Sequence, residues 1–170
     1  MIAKPKNLDP DAYFTSYIES LLETDLYEAL ENTKMETIAA LKSIPVDREG
    51  YAYAEGKWTV KQLAQHLVDC ERILNYRALA IARKEPINLN GFDENLYVQN
   101  DYSEARTLSE ICDEFEITRI STQMLVKSFH PEILDHIGKA NGAEVTPRSI
   151  IWFIAGHNIH HVKVMKERYF

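Results

Sequence analysis

Four stretches of this chain bring apolar side chains back every three or four residues. None alternates apolar with polar residues for long enough to suggest a strand. That pattern constrains the fold more than any other feature. It asks for helices with one buried face each, and such faces must be buried against one another. The first stripe is Ile18, Leu22, Leu26, Leu30, Thr33, Thr37 and Leu41, ended by Pro45. A loop with Gly50 and Gly56 follows. Thr59 with Gln62 three residues on is a capping box, in which each side chain takes the other's free backbone N–H. The stripe behind it is Leu63, Leu67, Cys70, Leu74 and Ile81, stopping near Lys84 ahead of Pro86.

The connection "EPINLNGFDENLYVQNDYSEA" is too rich in turn residues for a helix, and connections of this length are often functional. Thr107 and Glu110 form a second capping box, before Leu108, Ile111, Phe115, Thr118, Thr122, Leu125 and Phe129. "HPEILDHIGKANGAEV" reads as a further connection with one helical turn at Glu132–His136. Thr146 then caps a last helix with Pro147 at its first position, where the missing N–H costs nothing. That helix runs to about Arg168. The expectation is an all-α four-helix bundle. The 170 residues form a single domain, with no internal repeat, low-complexity segment or dividing linker.

The formal net charge of -7 makes the chain a poor electrostatic partner for nucleic acid or an anionic membrane. No apolar run approaches the ~20 residues needed to cross a bilayer. The opening "MIAKPKNLDPDAY" has no apolar leader segment. Cys70 and Cys112 fall in apolar-periodic segments, as buried reduced thiols do, which points to the cytoplasm.

Three of the six histidines lie in "AGHNIHHVKV". On a wheel of ~100° per residue, His157 and His161 fall near the centre of the stripe marked by Ile150, Phe153, Ile154, Val164 and Met165. His160 lies toward its edge. Two inward imidazoles one turn apart must both find polar partners. A metal ion bound by one nitrogen of each ring is one solution; a pair of hydrogen-bonded core histidines is the other. The H-x-x-x-H spacing suits a shared ion, but the glutamate of the H-E-x-x-H protease motif is missing. His66 lies about 60° from the centre of its own stripe and is the candidate third ligand, with Cys70 a rival one turn on. His130 and His136 rank lower. The core threonines either bond back to helix carbonyls or line a polar pocket.

At these residues the chain resembles the DinB-like proteins, the DinB/YfiT superfamily of metalloenzymes. The likeness runs from about Tyr17 to Tyr169. It is carried by "EGKWTVKQLAQHLVDCER", "YRALAIAR", "GFDENLYV" and "AGHNIHHVKVMKERY". The resemblance implies an up-down-down-up bundle with a long crossover between helices 2 and 3. It implies a divalent metal on His66, His157 and His161, and a homodimer. It does not imply DNA binding. Relatives include enzymes that use low-molecular-weight thiols as well as hydrolases.

Three histidine ligands leave coordination positions open. Zinc is the default ion; nickel, iron(II) and manganese accept the same ligands. One expectation is a thiol-dependent S-transferase or isomerase acting on a small electrophile. A second is a hydrolase using metal-bound water, and a third is a non-catalytic metal-binding bundle. Glu71 and Asp93 are the candidate general acid/base groups. Arg119, if it turns inward, would bind an anionic substrate group.

Overall fold

The computed structural model describes every residue except Asn7, Pro10 and Asp11. Four long helices make the bundle: α2 (Leu26–Lys42), α3 (Val60–Ala82), α5 (Leu108–Lys127) and α6 (Pro147–Arg168). Short helices α1 (Thr15–Glu19) and α4 (Glu94–Gln99) lean on it. The capping boxes at Thr59–Gln62 and Thr107–Glu110 form in full, and Thr146 makes a third with Ser149. Helix α2 packs on α5 and α6, and α3 packs on the same two, so α2 and α3 sit at opposite corners.

Burial gives the direction of each helix. The end of α2 (Ala40, Leu41), the starts of α3 (Val60, Leu63) and α5 (Leu108, Ile111), and the end of α6 (Val162, Met165) share one apolar cluster. The opposite ends share another, built on Leu26, Leu30, Ala78, Val126, Ile151 and Trp152. The order is therefore up-down-down-up. Between the two clusters lies a belt of buried polar residues, with Thr33 and Thr37 from α2, His66 and Glu71 from α3, Thr118, Arg119 and Thr122 from α5, and His157 and Asn158 from α6.

Three expectations need correction. The first stripe is two helices rather than one. Leu26 N–H donates to Ile2 O, and the Asp25 carboxylate accepts from Ile2 N–H at 2.7 Å. The N-terminal segment thus takes the bonds that would have carried a helix through this stretch, and Leu22 is left 95% exposed. The long crossover is not wholly irregular: Asp93 starts α4 by accepting from the N–H groups of Asn95 and Leu96. Strands also occur. β2 (Gly138–Ala140) and β3 (Ala143–Val145) form a hairpin, with β1 (Asn88–Leu89) parallel to β2. Asn141 and Gly142 turn the hairpin, both at positive φ (52° and 78°). This Asn-Gly turn is a strong hairpin signal that the helical reading of the chain passed over. The helical turn beside it is a 3-10 turn at Pro131–Ile133.

Candidate metal centre

His66 lies two turns into α3, and His157 and His161 project from successive turns of α6, the helix packed against α3. Their ring nitrogens converge. His157 Nε2 stands 3.2 Å from His66 Nε2 and 3.0 Å from His161 Nε2. The three ligand atoms all lie within 4.8 Å of one another. Hydrogen bonds alone cannot satisfy this arrangement, because one imidazole nitrogen carries either one N–H or one lone pair. A cation at the centre can. Zinc–nitrogen bonds of about 2.0–2.1 Å in a tetrahedron hold ligand nitrogens about 3.3 Å apart, close to the spacing seen. The donor set thus fits a divalent transition ion.

Burial keeps these rings in the form that binds metal. Desolvation pulls His66 down to about 4 and His161 to about 3. His157 is pushed well below the ordinary histidine value, first by desolvation and then by the neighbouring histidines. All three are neutral at pH 7, with lone pairs free. Trp58 lies against His66, ring centres 4.8 Å apart, and its indole N–H donates to Asn95 Oδ1 at 3.3 Å. Tyr17 lies beside His157 and His160. It gets there because Gly156 has no side chain: a Cβ at 156 would stand 2.3 Å from Tyr17 O.

The histidines open on a cavity of about 270 Å³. Helix α3 contributes His66, Cys70, Leu74 and Arg77 to its wall. Tyr13, Tyr17, Trp58, Phe92 and Phe153 make it strongly aromatic, and Glu94 and Asn95 of α4 complete it.

Helical order, a three-histidine cluster and a cavity beside it are features that unrelated bundles can share, so the whole-chain pattern matters. A family model of the DinB superfamily matches residues 29–165. The chain belongs to the DinB superfamily. Two solved structures show the same fold. One is YfiT from Bacillus subtilis, described as a probable metal-dependent hydrolase with an unusual four-helix-bundle topology. It superposes with a TM-score of 0.74 at 16% identity, over 96% of this chain and 90% of YfiT. The other is a mycothiol-dependent maleylpyruvate isomerase, with a TM-score of 0.66 at 15% identity. That match covers 89% of this chain but 62% of the isomerase. No curated protein matches the chain in sequence.

Within this DinB-superfamily bundle, Glu71, Asp93 and Arg119 stand off the cavity wall. Arg119 does turn inward, but to a protein partner. It is fully buried and paired with both oxygens of Glu71 at 2.8 and 2.9 Å. Its remaining N–H groups donate to Leu30 O, Thr33 Oγ1 and Asn158 Oδ1. Thr122 Oγ1 donates to Glu71 as well. Asp93 caps α4, and its exposed neighbour Glu94 lines the cavity instead. One helical step separates the two, and without α4 the sequence offered no means of choosing between them. Cys70 lies on the cavity wall but outside the nitrogen cluster, its thiol pushed up to about 12 by burial. The core threonines 33, 37 and 118 bond back to carbonyls one turn earlier, whereas Thr122 gives its single hydroxyl proton to Glu71. His160 is exposed.

Proposed function

We propose that this chain is a divalent-metal-dependent enzyme that joins a low-molecular-weight thiol to a small electrophile, as an S-transferase or thiol-assisted isomerase. The supporting observation is the convergence of three neutral imidazoles on a cavity wall, with no fourth protein ligand in the cluster among the described residues. His66, His157 and His161 would hold a divalent ion, which would supply Lewis acidity and make a thiol or a water easier to deprotonate. Zinc is the ion this donor set suits by default; nickel, iron(II) and manganese are the competitors.

The chain's own groups do the rest. Desolvation holds the imidazoles unprotonated, while Trp58 and Tyr17 shield them from bulk water. The aromatic wall suits an apolar substrate body. Among the described residues the one carboxylate on that wall, Glu94, is exposed, so proton transfer to a poor leaving group has little support. A thiol that loses its proton to solvent needs less help. The thiol-dependent isomerase of the same fold supports this reading by analogy alone.

A second reading is hydrolysis. Glu94, exposed on the cavity wall, would act as general base, and YfiT is the analogue. The deciding assay gives metal-loaded protein an electrophilic aryl halide with and without thiols, and separately an activated ester in water. Turnover that requires thiol supports transfer. Ester turnover without thiol, lost in Glu94→Gln, supports hydrolysis. Neither leaves the non-catalytic metal-binding bundle. For assembly we propose a homodimer, supported by exposed Ile117, Ile120 and Met124 on one face of α5. For compartment we propose the cytoplasm, supported by two buried free cysteines.

A further inference from the structure

We propose that Arg77 is the anion-binding end of the cavity, and that the substrate is an elongated small molecule with one carboxylate remote from its reacting atom. Only the placing of that reacting atom at the histidines rests on the metal-dependent reading above.

Arg77 is 7% exposed and makes no ion pair among the described residues. One Nη2–H donates to Asn90 O at 2.7 Å, and the guanidinium lies over the Phe92 ring. A guanidinium has five N–H donors, so four have no acceptor among the described residues. Arg119 provides the internal comparison. It is more deeply buried, at 0% exposure, and every one of its donors meets an acceptor while its charge meets Glu71. A buried cation without a counterion is costly unless a ligand supplies one. The guanidinium fork matches a carboxylate in two parallel bonds.

Position sets the shape of that ligand. His66, Cys70, Leu74 and Arg77 follow one face of α3, and all four are on the cavity wall. Eleven residues of helix place the Cα atoms of His66 and Arg77 about 16 Å apart along the axis. Arg77 also stands where a second, smaller cavity of about 90 Å³ begins; the two share Tyr13, Leu74, Arg77 and Phe153. The same wall carries Leu74 and the rings of Tyr13, Tyr17, Phe92 and Phe153, with Cys70, Glu94 and Asn95 as its uncharged or acidic polar members. The carboxylate of Glu94 faces the same space and disfavours a second negative charge. The ligand that fits is a monocarboxylate with an apolar or aromatic middle.

The probes are 4-phenylbutyrate and its neutral amide, titrated calorimetrically into metal-loaded protein. The wild type is expected to prefer the carboxylate by about tenfold, the size of one charge-assisted bidentate contact. Arg77→Gln keeps a donor for Asn90 and should bring the ratio to about one; Arg77→Met should do the same. The Arg77 Nε–H nuclear magnetic resonance signal should move with the carboxylate and not with the amide, which needs no variant to fold. Equal affinity in the wild type, or no binding of the carboxylate, overturns the proposal. So does a preference that survives Arg77→Gln but vanishes in His66→Ala, since the carboxylate would then sit on the metal. Metal content measured on the same samples separates the two claims. Metal without preference sinks only Arg77, and preference without metal sinks only the metal centre.

Discussion

Arg119 and His157 are both buried in the polar belt, and their needs are met differently. Arg119 joins all four bundle helices through Leu30, Thr33, Glu71 and Asn158. His157 has two facing nitrogens and no hydrogen-bonding scheme that serves both. Removing one half of a buried ion pair strands the other, so Arg119→Met should destabilise the protein by about 3–5 kcal/mol. Adding Glu71→Leu should recover much of that loss in chemical denaturation. The histidines give a pH prediction. Their unfolded value is about 6.5, and burial lowers His66 to about 4 and His161 to about 3 in the fold. Between those limits the unfolded chain binds more protons. Stability of the metal-free protein is therefore full above pH ~6.5 and declines as the pH falls toward 4. Melting curves across that range should show the decline, and His66→Ala should flatten it.

The elements differ in how far the sequence revealed them. Thr59, Thr107 and Thr146 mark helix starts because a capping side chain is a local interaction, legible from neighbours alone. The break before α2 is not local: it depends on Ile2, more than twenty residues away, bonding to Asp25 and Leu26. The same is true of the cavity wall, since α4 must be known before Glu94 rather than Asp93 can be placed on it. The hairpin was legible in Asn141-Gly142, but its short strands were hidden among helical stripes. The inward pair on α6 could be read because helical spacing alone fixes its direction. Gly156 tests the element-level account. Alanine favours a helix by about 1 kcal/mol over glycine, yet here its Cβ would meet Tyr17 backbone at 2.3 Å. Gly156→Ala should therefore lower stability by about 1–3 kcal/mol, as overpacking does. It should also displace α1, which tyrosine fluorescence at Tyr13 and Tyr17 and thermal melting can follow.

In the whole molecule, two apolar clusters close the ends of the bundle and the polar belt crosses its middle. The up-down-down-up order brings α3 and α6 into contact, so His66 can meet His157, 91 residues away, and His161 one turn further on. Helices α1 and α4 then wall the space beside them, with Tyr17 on one side and Glu94 and Asn95 on the other. No described helix is long and apolar enough to cross a membrane. A metal ion shared by α3 and α6 should be visible in elemental analysis of the untagged protein beside His66→Ala and His157→Ala. About one transition-metal ion per chain, as three convergent histidines hold, is expected in the wild type and should be lost in both variants. A wild-type chain that stays metal-free after exposure to zinc, nickel, manganese and anaerobic iron(II) would contradict the shared site, as would variants that keep their metal.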